Sequence, residues 1–317
     1  MPSWAQCNRS LAMRVSSLSY YSATLAGIRD QQAKIARLSQ QVATETKYLA
    51  AKDSPIEATR ALYLADRVAQ RTQYQANQTK AEIGIQEEQT VLNELDDALS
   101  SVRSLVMSTT GSEDAEARQQ VAAQLSNLYQ HIKSLANYKD SSGNYLFSGF
   151  QTDTLPYEHA SVYEGAASPQ STTYYGDTGV RKTEIEAGRY LQTNDTLDTV
   201  MQAGTTNDLL SSLDQIATAL RDGTATASDF TSATDLVSSA LSNLRMIESD
   251  VSGRYVELTS TQESTTSLLQ NDQNALSKLT ELDSAAAIVE LQQRQVTLQA
   301  AENTFSLTSQ QSLFDYL

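Results

Sequence analysis

The chain has 317 residues, 38 acidic against 23 basic, for a formal net charge of −15. That balance argues against nucleic acid or an anionic membrane as partner, because both select clustered Lys and Arg. No apolar run approaches the roughly eighteen residues of a membrane span, and a lone cysteine, Cys7, allows no internal disulfide.

The four prolines, Pro2, Pro55, Pro156 and Pro169, leave long proline-free tracts on either side of a Tyr- and Gly-rich middle. An internal proline costs a helix about 3 kcal/mol, so the chain reads as helix, short β-rich middle, helix. Residues 1–12 are polar and read as a leader ahead of Met13, a candidate start, with Cys7 an inert residue inside it.

A heptad seam then follows through Leu18, Tyr21, Leu25, Ile28, Gln32, Ile35, Ser39, Val42, Thr46 and Leu49. Ser54-Pro55-Ile56-Glu57 is a capping box with proline at the first helical position. It opens a long helix through Leu62, Ile83, Leu92, Leu95, Leu99 and Val102 to about Met107. Gly111-Ser112 breaks the pattern, and Ser112 is placed to cap a helix with Val121, Leu125, Leu128, Ile132 and Leu135 on one face, ending near Asn137.

Tyr145-Leu146-Phe147-Ser148-Gly149-Phe150 is a short strand candidate after a turn-rich stretch. Residues 172–175 and 180–187 read as the arms of a hairpin about Gly176-Asp177-Thr178-Gly179. Helix resumes at Asn207 or Asp208 and stops near Gly223. Ser228 is placed to cap the last long run, through Phe230, Val237, Leu244, Val251 and Leu258. Residues 259–267 contain no apolar side chain and read as a flexible joint or a solvated helical turn.

Residues 276–317 form the stretch on which the chain is organised. Leu279, Leu282, Ala286, Val289, Gln293, Val296, Ala300, Asn303, Leu307, Gln310 and Phe314 trace one seam on a helix of roughly 60 Å without proline or glycine. A second stripe, Ile288, Leu291, Leu298 and Phe305, runs beside it, and Leu313 adds to the apolar end. Residues 13–50 carry Arg14, Arg29, Lys34, Arg37 and Lys47 against Asp30 and Glu45, net +3. Residues 276–317 carry Lys278 and Arg294 against Glu281, Asp283, Glu290, Glu302 and Asp315, net −3. Opposite charge on two apolar-striped helices favours pairing of the chain ends.

The expected fold is mainly α: an elongated bundle of long helices, its N- and C-terminal helices paired as a coiled coil, with a small β-rich inserted lobe. The expected domains are a terminal helical domain (13–50 with 276–317), a long-helix domain with a short hairpin (51–150 with 205–275) and the lobe (151–204). The terminal helices, lacking an intramolecular core for both stripes, are expected to be marginally ordered alone and to gain partners on assembly.

Catalytic chemistry finds little footing. His131 lies on a helix face, and His159 has no second histidine near it. Glu87/Glu88 and Asp96/Asp97 are helical neighbours that diverge by about 100° and cannot converge as an acid–base pair. No phosphate loop or Cys–His cluster occurs, so neither enzymatic activity nor a cofactor or metal is expected.

Several motifs carry a resemblance. Met13-Arg14-Val15-Ser16, Lys52-Asp53-Ser54-Pro55, the specific run Gly143-Asn144-Tyr145-Leu146-Phe147-Ser148-Gly149, the Tyr175-Gly176-Asp177 turn and the closing Ser312-Leu313-Phe314-Asp315-Tyr316-Leu317 resemble the bacterial flagellin superfamily. Within it they resemble the hook-associated proteins of the hook–filament junction type. The chain departs from that family at Glu45, where a glycine is common, and in its twelve-residue leader; its short lobe suits a junction protein better than a large-lobed flagellin. The resemblance implies a structural axial subunit of the flagellum, in a homo-oligomeric ring between the first hook-associated protein and flagellin. It implies export through the flagellar type III channel without a cleaved signal peptide, with an export chaperone holding the C-terminal helix, and an extracellular location. Flagellin itself is the alternative in the same class; a secreted coiled-coil adhesin with a ligand-binding Tyr-rich lobe is the alternative from another.

Overall fold

The computed structural model describes residues 4–109, 114–166 and 168–314, with side chains described from Ser19 to Thr308 apart from Tyr20 and Tyr163. Among these residues the helices are α1 (Trp4–Thr44), α2 (Pro55–Thr109), α3 (Ala115–Ala136), α4 (Asp198–Met201), α5 (Leu209–Asp222), α6 (Ala227–Thr280) and α7 (Ser284–Phe314). The strands are β1 (Tyr157–Glu158), β2 (Thr173–Tyr174), β3 (Lys182–Glu186) and β4 (Arg189–Gln192). The fold is mainly helical with a small β lobe, as the proline spacing implies. The chain divides into two compact units, residues 1–69 with 270–317 and residues 70–269.

The larger unit holds the extensive core. α2 supplies Ile85, Leu92, Leu95, Leu99 and Val102, α3 supplies Leu125, Tyr129 and Ile132, and α5 and α6 supply Leu213, Ile216, Val237 and Leu244. The caps explain where these helices start. Asp114, not Ser112, caps α3, its side chain accepting from Glu116 N; Ser112 lies outside the described residues. Asp208 caps α5, accepting from Ser211 N, and Gly223 closes that helix at φ 71°. Thr226, not Ser228, opens α6: its N–H and hydroxyl both donate to the Asp229 carboxylate, at 2.7 and 2.8 Å.

Three local expectations give way to tertiary packing. Residues 259–267 are not a joint but continuous α6 helix. Thr261 and Thr265 are buried there, and Gln78 Nε2, on α2, donates to Thr265 Oγ1 at 2.9 Å and to the Ile185 carbonyl at 2.7 Å. Small polar side chains that satisfy one another keep a helical face inside without an apolar residue.

The expected hairpin about residues 176–179 is replaced by two separate antiparallel pairs, β1 with β2 and β3 with β4. The β3–β4 turn falls at Ala187-Gly188, where Gly188 takes φ 71°, and a register shift between Glu184 and Glu186 keeps Ile185 and Leu191 in the core. Asp177 instead serves the neighbouring turn, its Oδ1 accepting from Phe150 N at 2.8 Å and Gly179 N at 2.7 Å.

The 145–150 stretch is consequently a turn rather than a strand. Leu146, Phe147 and Ser148 are consecutively buried, and the backbone over 146–150 runs in turns with no strand pairing. Gly149 sits at φ 70° against Asp177, so a Cβ there would strike both the Asp177 carbonyl and its carboxylate. Gly143 N donates to Asp140 O at 2.9 Å and Asn144 N to Asp140 Oδ1 at 2.9 Å. Lys139 Nζ lies 4.6 Å from the centre of the Tyr145 ring. The Gly143–Gly149 run is a device for packing this turn.

Buried polar groups complete the unit. His159 Nε2 donates to the Gln170 carbonyl at 2.6 Å and its Nδ1 accepts from Tyr129 Oη at 2.7 Å; a carbonyl can only accept, which puts the ring proton on Nε2. Glu88 Oε1 accepts from Asp195 N at 2.9 Å, and Asp195 is ion-paired to Arg254. Burial, reinforced by the negative charge of Asp195, pushes the Glu88 carboxyl up to about 8.

A folded-state value above the ordinary one means that the folded protein holds its proton more tightly than the unfolded chain. This contribution is present below pH 4.5 and lost as pH rises through 8. Glu88→Gln, which keeps the shape and drops the charge, should therefore gain stability over wild type progressively across that window. Paired thermal melts from pH 4 to 9 measure it, and a constant difference in Tm would contradict the assignment.

Candidate assembly surface

α1 and α7, from opposite chain ends, pack antiparallel in the smaller unit. The Tyr21 and Phe305 rings meet edge to face at 5.7 Å, Arg294 Nη1 approaches Gln31 Oε1 at 3.5 Å, and Gln32 Nε2 approaches Glu302 Oε1 at 3.5 Å. These polar contacts are long and weak. The closer ion pairs lie within helices, Lys34 on Asp30 and Arg294 on Glu290, both at 2.6 Å. Apolar burial, not the opposite net charges, is the main attraction between the two.

On α1 half of the expected seam, Tyr21, Ile28, Ile35 and Val42, is covered, while on α7 the contact falls on the other stripe. On α1 the covered line is Tyr21, Thr24, Ile28, Gln31, Ile35, Leu38 and Val42, whereas Leu25, Gln32 and Ser39 point to solvent. On α7 it is Ala287, Leu291, Arg294, Leu298, Ala301 and Phe305. The stripe expected to be surplus is thus the one against α1, except for Ile288, which is exposed. The stripe expected to pair is left in water: Val289 is 64% exposed, Val296 66% and Leu307 64%.

Residues two apart on a helix are about 200° apart around its axis, so Val289 and Val296 lie opposite Leu291 and Leu298. The larger Leu and Phe side chains remove more apolar area from water than Val and Ala, at about 25 cal/mol per Å², and so occupy the single available seam. Leu18, Leu313 and Phe314 have helical backbones, and their side chains lie outside the described residues, as do residues 315–317 entirely.

Neither terminal helix has the extent expected. α1 is helical from Trp4, so the polar segment holding Cys7 continues the first helix rather than preceding it; residues 4–12 contain no glycine or proline to stop it. The C-terminal stretch is interrupted: Leu279 belongs to α6, and Leu282 lies in the break before α7. Leu282 N donates to Glu45 O at 3.0 Å instead of continuing the helix, and Asp283 caps α7 by accepting from Ala286 N at 3.0 Å.

The connection from α1 to α2 is a strap fastened by Asp53. Its Oδ2 accepts from the Leu49 and Ala50 N–H groups, each at 3.2 Å, and Oδ1 meets Arg37 at 3.1 Å. Beneath the strap, Tyr48, Leu49, Ala50, Ala58, Ala61 and Leu276 line an apolar cavity of about 500 Å³. Ile56, Leu62 and Tyr63, on the first turns of α2, are exposed. Among the described residues no three His, Cys, Asp or Glu side chains are grouped to hold a metal ion.

Little of the terminal pair is deeply covered: among the described residues of α1 and α7, Ile28, Leu38 and Ala287 are the buried apolar positions. Sequence reasoning missed Leu38; its spacing of three from Ile35 and four from Val42 was the available signal. Phe305→Ala should remove the ring contact with Tyr21 and speed amide exchange along both α1 and α7. The core amides of residues 70–269 should be unchanged, and exchange mass spectrometry resolves the two regions.

Comparisons with known proteins follow the same outline. A family model described as the bacterial flagellin N-terminal helical region matches residues 15–152. Flagellar hook-associated protein 3 of Escherichia coli (strain K12) is 24% identical over 95% of this chain and 99% of its own length. A Vibrio parahaemolyticus structure assigned to a flagellar hook-associated protein superposes with TM-score 0.65 at 19% identity, over 72% of this chain and all of that one. The flagellar junction protein FlgL of Legionella pneumophila superposes with TM-score 0.55 at 13% identity, over 70% and 99%. At such identities the two structures speak to fold, while the sequence matches speak to kinship. The chain is thus similar to a flagellar hook-associated protein over nearly its whole length, and to the bacterial flagellin N-terminal helical region over residues 15–152.

Proposed function

We propose that this protein is an axial subunit of the hook–filament junction, forming a ring of its own copies on which flagellin polymerisation is seated. The ring lies between the first hook-associated protein and flagellin, outside the cell, and its subunits reach it through the flagellar export channel after release from an export chaperone. The observation that carries this reading is the exposed apolar face of α7. Val289, Val296 and Leu307 lie on the side away from α1, and a sustained apolar stripe in water marks an interaction surface. The near full-length match to a hook-associated protein 3 supports the junction over the filament as its place.

The terminal residues named at the outset divide between two roles in this reading. Tyr21, Ile28, Ile35, Val42, Leu291, Leu298 and Phe305 hold the terminal pair together. Leu25, Val289, Val296 and Leu307 face neighbouring subunits. Leu279 and Leu282 secure the connection between α6 and α7.

A charge placed on the free face tests this directly. Val289→Asp with Val296→Asp should leave the far-UV circular dichroism and thermal midpoint of the purified monomer within error of wild type. Cells carrying it should build hooks, lack filaments and release flagellin into the medium. Normal motility would refute the surface. Filament reading and junction reading separate by abundance, since a filament subunit dominates sheared filaments and a junction subunit is a trace component.

A further inference from the structure

Three parts of the larger unit meet at one buried carboxyl group. Glu88, on α2, is completely buried, and its Oε1 accepts from Asp195 N at 2.9 Å. Asp195, three residues past the end of β4, is ion-paired to Arg254 of α6, and its Oδ1 accepts from Gln192 Nε2 at 2.8 Å. The base of the β3–β4 hairpin is thus tied to α2 through Glu88 and to α6 through Arg254.

The charges in this site do not balance when every acid is ionised. Asp195 and Arg254 are the charged groups that act on Glu88 from the other two parts. Its neighbour on α2, Glu87, instead accepts from Ser141 N at 3.5 Å. No donor among the described residues reaches Glu88 Oε2. A protonated Glu88 leaves one carboxylate facing one guanidinium. An ionised Glu88 adds a second carboxylate, out of reach of water, to a single cation. Burial first, and then the Asp195 charge, therefore pushes its carboxyl up to about 8.

Relief is available on the Asp195 side. Its side chain keeps 17% exposure. With Gln192, Asn194, Thr196 and Thr199 it lines a cavity of about 140 Å³, room that a close-packed interior would deny. Asn194 binds residues 179–181 to the same segment, its Oδ1 accepting from Arg181 N at 2.6 Å and its Nδ2 donating to Gly179 O at 3.0 Å. At the far end of β3, Asn77 and Gln78 hold the Glu184 and Ile185 carbonyls at 2.9 and 2.7 Å. Those ties contain no titratable group, so loss of a proton loosens the base alone.

We propose that Glu88, Asp195 and Arg254 form a proton-dependent latch, fastening the base of the β3–β4 hairpin to the helices while Glu88 is protonated. When that proton passes to water the latch opens, and residues 192–196 turn away from α2. The closed form holds the proton more tightly than the open one, so its advantage is complete below pH 4.5 and lost as pH rises through 8. The latch does not depend on which flagellar position the subunit occupies.

Residue-resolved amide exchange on the full chain tests it. The protection of the Asp195 amide, corrected for the intrinsic pH dependence of exchange, should fall by about tenfold per pH unit between about pH 5.5 and 7.5. Glu88→Gln keeps an acceptor for Asp195 N and a donor for its carboxylate, and should hold that protection within about twofold across the window. Low urea should leave the Asp195 rate unchanged while speeding the α5 core amides, because a local opening exposes little surface. Protection of Asp195 that ignores pH in wild type, a fall that persists in Glu88→Gln, or a urea dependence equal to that of α5 would each overturn the latch. Should the variant not fold, the carboxyl carbon shift of Glu88 in the wild-type chain decides. Titration near 8 supports the latch, and titration in the ordinary carboxylate range overturns it.

Discussion

A helix with two apolar faces and one partner must leave one face in water, and α7 is in that position. Its covered face holds Leu291, Leu298 and Phe305, and its free face Val289, Val296 and Leu307. The larger side chains take the seam because each removes more apolar area from water. What remains has too little area to draw α1 around a second time and too much to be ignored by neighbouring molecules. The arrangement of one helix therefore leaves Val289, Val296 and Leu307 exposed.

The remainder of the chain is organised differently. The unit of residues 70–269 buries Ile85, Leu92, Leu95, Leu99, Tyr129, Phe147 and Ile185 completely or nearly so, and it satisfies polar groups internally, as Gln78 with Thr265 and Tyr129 with His159. The Gly143–Gly149 run belongs to it: Gly149 permits a close approach to Asp177 that no other residue could make, so the motif serves the subunit's own fold. The Gly143–Gly149 run and the exposed face of α7 thus lie in different units of the molecule.

Between α1 and α2, Asp53 gathers the Leu49 and Ala50 N–H groups and the Arg37 guanidinium. Its carboxylate pins the strap in place while Glu45, at the other end, carries the backbone angle. Glu45 takes φ 54°, so a glycine there would make the same turn with less resistance, and this chain uses a residue that resists.

Much of this architecture follows from residue order alone. Proline spacing delimits the helical tracts, Pro55 opens α2, Asp208 and Gly223 bound α5, and the two apolar terminal segments imply that the chain ends pair. These are local or periodic signals, and the backbone rules behind them act within a few residues. Tertiary structure decided the rest. Which α7 stripe faces α1 depends on competition for one seam. The break at Leu282 depends on Glu45, distant in sequence, supplying a carbonyl. The polar run 259–267 stays helical because Gln78 fills it from another helix. Pairing of β2 with β1 instead of across the 176–179 turn depends on Asp177 bonding to Phe150 and Gly179. Each of these outcomes rests on a partner far along the chain, and periodicity contains no information about such partners.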